Sequence, residues 1–219
     1  RSSAASDVYK RQIVGMVEMM VAGIMNLMSD DLGVSEAIIG QLVTLYALTF
    51  AICGPILVKL TNRYPARPVL LWTLVIFIVG NGIIAVAPNF TILVIGRILS
   101  SAAASLIIVK VLALTAMLTI PKNRGKMIGV VYTGFSGANV FGVPIGTMIG
   151  DWIGWRFTFV FIIVISLITG LLMLKYIPTT TELNQANRMY NNVSDDNQVT
   201  THIVRPVEIV KFLAITLLI

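Results

Sequence analysis

Six long apolar runs dominate the amino-acid sequence, and three of them contain no charged residue. The runs lie at about residues 13–29, 37–58, 69–87, 91–120, 127–150 and 157–177. About 20 apolar residues are needed for a helix to cross the hydrocarbon of a bilayer. Backbone polar groups in hydrocarbon must be satisfied internally, and the runs lack the alternating pattern of a membrane β-barrel. The sequence therefore predicts an all-α, polytopic integral membrane protein.

The composition excludes several other classes of protein. Charged residues make up only 12% of the chain and the mean hydropathy is +0.89, whereas soluble domains carry roughly 25% charged residues. The single cysteine, Cys53, lies in an apolar run and the single histidine, His202, in a polar segment, so neither a disulfide framework nor a metal cluster is expected. No nucleophile and base converge at one depth, which argues against an intramembrane enzyme.

The positive charges predict the orientation of the chain. If the N-terminus is cytoplasmic, nearly all Lys and Arg residues outside the spans fall on the cytoplasmic side, and the outer loops hold only Arg156. Basic residues concentrate on the cytoplasmic side of membrane proteins. We therefore expect a multi-pass protein of the cytoplasmic membrane with its N-terminus inside. This topology accounts for the net charge of +6, so no nucleic-acid partner is expected.

The runs and the polar segments divide the chain into four parts. Residues 1–12 are polar and resemble a non-native leader, residues 13–177 form the predicted six-helix transmembrane bundle, and residues 178–206 form a polar cytoplasmic linker. The apolar residues 207–219 are too few to cross the bilayer and read as the truncated start of a seventh helix.

Four segments in order along the chain carry a resemblance to a known family. They are GPILVKLTNRYPARPVLL, GRILSSAAAS, GFSGANVFGVPIGTMIG and GWRFTF. The chain resembles the major facilitator superfamily over residues 13–219, particularly the branch of arabinose-efflux permeases and drug:proton antiporters. The resemblance implies twelve helices in two six-helix halves. This chain would be the N-terminal half plus the start of helix seven, with the C-terminal half as its partner.

The first of these segments resembles the family's cytoplasmic gating loop. The resemblance assigns Gly54, Lys59, Arg63 and Arg67 to this loop, but the usual aspartate falls on Val58. In the family that aspartate helps to hold the inward gate through charge pairing, so the full gating mechanism does not carry over. The basic residues are expected to act on helix ends or on anionic lipid.

Glu18 is the most informative single residue. It precedes Asp30 by 12 residues, which places it roughly 18 Å below the outer boundary. A carboxylate inside a transmembrane helix is costly and is by default a candidate functional group. The resemblance to exporters with an acid here implies that Glu18 carries a proton. The alternative is a structural pairing with a neighbouring helix.

Two basic residues fall inside the fourth run. Arg97 lies roughly 9 Å from the outer end of its helix, and the resemblance implies a part in proton transfer or in recognition of substrate charge. The alternatives are a structural salt bridge or a side chain that snorkels to the interface. Lys110 lies about 28 Å from the same end, so we expect its ammonium to snorkel to cytoplasmic headgroups, with a role in the transport cavity left open.

Small residues recur every four positions in the fifth run, at Ala138, Gly142, Gly146 and Gly150. Such stripes allow helices to approach closely. With Pro144 the segment resembles the antiporter motif of exporters, in which a kink assists rocking between the two halves. The candidates for the substrate cavity or the helix interface are Asn26, Asn139, Gly142, Pro144 and Gly146.

These expectations combine into one functional hypothesis. The whole protein would be a secondary transporter that exports a small organic solute, such as a sugar or a drug, by proton antiport. It would need no cofactor, since the proton gradient supplies the energy. The alternative is a passive channel or a membrane scaffold that does not transport. The isolated half is not expected to transport by itself.

Overall fold

A computed structural model describes residues 24–118 and 123–176, and these residues form six helical segments without a strand. The segments are α1, residues 24–32; α2, Glu36–Thr61; α3, Ala66–Ala85; α4, Phe90–Leu118; α5, Arg124–Ile153; and α6, Trp155–Tyr176. The predicted all-α fold is confirmed. The bounds of α2 to α6 lie within three residues of the predicted runs. The linker at 178–206, the start of helix seven and Glu18 lie outside the described residues.

Three of the helices are long and apolar enough to cross a membrane, namely Glu36–Thr61, Ala66–Ala85 and Phe90–Ala116. The other two long helices contribute the shorter apolar stretches Val140–Ile153 and Trp155–Leu171. Proline occurs inside two helices, at Pro55 in α2 and Pro144 in α5. Each proline removes one backbone hydrogen bond, an interruption that a helix within a membrane bundle tolerates.

Two of the connections between helices turn on a glycine with a positive φ angle. Gly33, with φ of 65°, follows α1, and Gly154, with φ of 114°, separates α5 from α6. Only glycine adopts such angles without steric cost. The amide of Gly154 donates to the carbonyl of Gly150 at 3.0 Å, which closes the last turn of α5. A connection this short requires α6 to run back along its neighbour.

The helix α4 packs against both α2 and α3, and its contact with α3 is the most extensive between the described helices. A Cβ atom at Gly80 of α3 would lie 2.8 Å from the backbone nitrogen of Ser100. A Cβ atom at Gly96 of α4 would lie 2.7 Å from Ile84 Cγ1 and 2.9 Å from the carbonyl oxygen of Gly80. The two backbones are therefore in direct contact, which only small residues permit.

Two apolar clusters fill the described bundle. The first cluster includes Ile24, Met28, Ile39, Leu42, Ile84, Leu93, Trp155 and Phe159. The second includes Leu70, Leu74, Phe77, Ala103, Ile107, Val111, Leu114 and Met173. Arg97 and Lys110 of α4 are also buried, so this helix places two positively charged side chains within the bundle.

Candidate functional site

Arg97 is enclosed by aromatic side chains from two other helices. Its side chain is only 7% exposed, and its Cζ atom lies 5.9 Å from the ring centroid of Tyr46 in α2 and 5.2 Å from that of Phe159 in α6. Both distances fall within the range of cation–π attraction. Among the described residues, Arg97 Nε has no hydrogen-bond partner. The charge is thus held by ring faces from α2 and α6.

The serine hydroxyls near Arg97 bond backbone carbonyls. Ser100 donates to the carbonyl of Arg97 at 3.1 Å, and Ser105 donates to that of Ala102 at 2.8 Å. Ser101 donates across to the carbonyl of Tyr46 at 2.7 Å. This last bond joins α4 to α2 beside the Tyr46 ring, so it fixes the distance between the two helices at this level.

Tyr46 and Phe159 are the two residues of this site that sequence reasoning missed. Phe159 lies one helical turn after Trp155 in the GWRFTF segment, and residues four apart in a helix face the same side. That spacing was the available signal for Phe159. Tyr46 lies in an uncharged apolar run, and nothing in its local pattern indicated that it meets Arg97.

Lys110 reaches the end of a helix, where the sequence predicted lipid headgroups. Its side chain is 8% exposed, and Nζ donates to the carbonyl of Thr61 at 3.1 Å. Thr61 is the last residue of α2, where the unpaired carbonyls carry partial negative charge. The ammonium therefore binds a protein carbonyl at the end of α2, and its contact with lipid headgroups stays a prediction.

The residues of the predicted gating loop have different surroundings. Arg67 Nη2 donates to the carbonyl of Leu174 in the last turn of α6 at 2.9 Å. Lys59 and Arg63 are exposed, while Gly54 is buried and faces the Ser105 side chain across the α2–α4 contact. Arg67 and Lys110 thus both bind carbonyls at helix ends. We call this side of the bundle the Thr61 end. The gating role itself stays a prediction.

Arg156 joins three turns at the opposite side of the bundle, which we call the Asp31 end. It forms an ion pair with Asp31, donates to the carbonyl of Ala87 at 3.0 Å, and lies with Cζ 4.4 Å from the ring centroid of Trp155. Trp155 Nε1 also donates to Asp31 at 3.3 Å. The three turns predicted to lie outside therefore meet at one end of the bundle.

We expect Arg156→Gln to lower the melting temperature of the full-length protein by several degrees. The ion pair is partly exposed and contributes less than about 1 kcal/mol, but the bond to Ala87 and the contact with Trp155 add about 1 kcal/mol. Arg63→Gln is the control, because Arg63 is exposed and makes no bond among the described side chains. Equal melting temperatures for the two variants would show that Arg156 does not hold the turns together.

The small residues of α5 separate into packed and open positions. Gly146 is buried, and its carbonyl accepts a bond from the Thr158 hydroxyl at 2.9 Å. A Cβ atom at Gly150 would lie 2.6 Å from Ile24 Cγ2, whereas a Cβ atom at Gly142 would have no atom of the described residues within 4 Å. Pro144 is exposed. The described part of the chain therefore covers the stripe only near the Asp31 end.

Of the remaining candidates, the structure describes the position of the two asparagines but not that of Glu18. Asn26 is exposed in α1, so the described helices do not bury it in their interface. Asn139 lies in the middle of α5. Glu18 lies outside the described residues, and its proton-carrying role stays a prediction.

Comparison with known proteins decides the family. The model of the Major Facilitator Superfamily matches residues 13–219. The chain belongs to this superfamily. It is 35% identical over 155 residues to the uncharacterized MFS-type transporter YtbD of Bacillus subtilis (strain 168), which covers 71% of this chain and 39% of YtbD. The resemblance found in the four sequence segments is confirmed.

Two further relatives are a drug resistance protein and a putative transporter. It is 30% identical over 165 residues to the chloramphenicol resistance protein of Streptomyces lividans, covering 75% of this chain and 42% of that protein. It is 26% identical over 155 residues to the putative transporter AraJ of Escherichia coli (strain K12), covering 70% of this chain and 39% of AraJ. The chain therefore spans about two fifths of the length of these relatives. No solved structure matches it.

Proposed function

We propose that the complete protein exports a small organic solute, such as a sugar or a drug, in exchange for protons. Glu18 carries the proton, Arg97 sets the electrostatics of the site, and α5 lines the interface between the two halves. The energy comes from the proton gradient, so no cofactor takes part. The protein lies in the cytoplasmic membrane with its N-terminus inside, and it acts as a transporter and not as an enzyme.

The observation that carries this proposal is the buried guanidinium of Arg97. An unpaired charge in an apolar interior costs several kcal/mol, and no carboxylate of the described residues contacts Arg97. A guanidinium also keeps its charge at all physiological pH values. An intramembrane carboxylate that gains and loses a proton would respond strongly to such a fixed charge, and Glu18 is the acid that the first run supplies. The name of the Streptomyces lividans relative supports chloramphenicol as a probe.

The test is transport by the full-length protein in vesicles that contain a pH-sensitive dye. We expect a chloramphenicol or arabinose gradient to drive proton movement in the opposite direction, with saturable flux. We expect Glu18→Gln to abolish the proton movement, because an amide neither binds nor releases a proton at neutral pH. Asp30→Asn is the matched control, since Asp30 is an exposed carboxylate at the Asp31 end.

Other outcomes of this experiment would contradict the proposal. Saturable flux that is independent of pH and unchanged by Glu18→Gln would remove the proton coupling. Flux that rises in proportion to concentration would indicate a passive channel. Absence of flux for every solute tested would favour a membrane scaffold that does not transport.

A further inference from the structure

Two aromatic rings are the main surroundings of the Arg97 guanidinium in the described bundle. Tyr46 approaches it from α2 and Phe159 from α6. A ring face attracts a cation through its quadrupole, and this attraction increases when the cation is removed from water. The rings therefore offset part of the cost of burying a charge that has no ion-pair partner among the described residues.

Phe159 is held in place by the ring of Trp155, which lies one turn earlier in α6. Its ring meets the ring of Trp155 edge to face, with centroids 6.1 Å apart and planes at 85°. Trp155 in turn lies against Arg156, which is paired with Asp31. Phe159 is 3% exposed, so its ring has little freedom to turn away from Arg97.

Tyr46 is held on the other side by its own helix and by α4. Its ring stacks with that of Phe50, with centroids 6.3 Å apart and planes at 26°. Its backbone carbonyl accepts the hydrogen bond from Ser101, one turn along α4 from Arg97. The contacts within α2 and between α2 and α4 thus fix the Tyr46 ring relative to the Arg97 guanidinium.

We propose that Tyr46 and Phe159 are positioning residues that hold the Arg97 guanidinium by cation–π contact. The rings stabilise the buried charge without a permanent carboxylate partner from the described residues, so the guanidinium stays available to a carboxylate whose charge changes during transport. This inference rests on the proposed proton coupling. Among the described residues, the Tyr46 phenol is the ionisable side chain that lies against Arg97, and α6 presents the non-ionisable Phe159.

The first test measures proton-driven chloramphenicol flux by the full-length protein as a function of pH. We expect Tyr46→Leu and Phe159→Leu each to lower the flux about tenfold, the factor that corresponds to about 1.4 kcal/mol of ring–cation attraction. We also expect both to shift the pH of half-maximal flux, which loss of packing alone would not do. Tyr46→Phe keeps the ring and is expected to behave like the wild type.

Phe77→Leu is the matched control for the loss of a buried ring. Phe77 is 7% exposed and belongs to the second apolar cluster, whereas Phe159 belongs to the first. The same substitution there removes similar volume at a ring that makes no cation–π contact with Arg97 among the described residues. If Phe159→Leu changed the pH profile no more than Phe77→Leu does, the positioning role would be overturned.

A second measurement separates this inference from the proposed function. The melting temperature of the full-length protein is compared for Phe159→Leu, Arg97→Met and the double variant. If the rings hold the cation, Phe159→Leu lowers the melting temperature less in the Arg97→Met background than in the wild type. Additive effects would overturn the inference. Flux independent of pH in the wild type would instead contradict the proton coupling. The comparison of melting temperatures would then decide whether the rings hold Arg97.

Discussion

Gly80→Ala is expected to disrupt the packing of α3 on α4 and to lower sharply the amount of folded protein. The new Cβ atom would lie 2.8 Å from the backbone nitrogen of Ser100 and 3.1 Å from its Cα atom. A flexible side chain can move away from such a clash, but a helix backbone cannot move without the helix. Overpacking a close-packed interior typically costs about 1 to 3 kcal/mol. We expect a value at the upper end, because two helices must separate.

Gly82→Ala is the matched control on the same helix. Among the residues that the structure describes, a Cβ atom at Gly82 would meet only the tip of the Ile163 side chain, at 4.0 Å, which is an ordinary contact. The substitution also favours the helix by removing the backbone freedom of glycine. We expect Gly82→Ala to match or slightly exceed the wild type in melting temperature and in yield of monodisperse protein in detergent. A Gly80→Ala variant as stable as Gly82→Ala would show that α3 and α4 are less closely packed.

The helices were predictable from the sequence because their signal is local. An apolar run of about 20 residues in a membrane has no alternative to a helix, and charged or turn-forming residues mark where each run stops. The bounds of α2 to α6 therefore follow the predicted runs closely. Neither the domain bounds at the two ends of the chain nor the orientation in the membrane has this direct support, and both stay predictions.

The contacts between helices were harder to predict because a pattern on one helix does not identify its partner. The regular stripe of α5 drew attention, yet Gly142 faces nothing within 4 Å among the described residues. The closest approach between two helix backbones lies at Gly80 and Gly96 instead. Gly96, Ser100 and Ala104 are also four residues apart, so α4 carried the same small-residue signal. Which stripe is filled depends on where the neighbouring helices lie.

For the basic residues too, the position along a helix was predictable from the sequence, but the hydrogen-bond partner was not. The depth of Lys110 along α4 was predicted from the rise per residue, and the structure places its ammonium at the Thr61 end. The carbonyl that it binds belongs to a residue 49 positions earlier in the chain. Likewise, Arg67 reaches a carbonyl 107 residues away. Local sequence patterns contain no information about such long-range pairs.

The contact of Lys110 with the end of α2 leads to the second large expected effect. We expect Lys110→Glu to prevent stable folding of the full-length protein. The carboxylate would be buried beside the Thr61 carbonyl, where the end of α2 is already negative. An uncompensated buried charge costs about 3 to 5 kcal/mol, which is a large part of the stability of most proteins. The measurement is the melting temperature and the fraction of monodisperse protein in detergent.

Two further variants distinguish this contact from a general effect of charge at the Thr61 end. Lys59→Glu makes the same reversal of charge in the last turn of α2, but Lys59 is exposed to solvent, so water screens the new charge and the loss of stability should be small. Lys110→Met removes the charge and keeps an unbranched side chain. Because a buried charge is costly to desolvate, its replacement by an apolar group should be tolerated far better than Glu. If Lys110→Glu were as stable as Lys59→Glu, the ammonium would not be buried against α2.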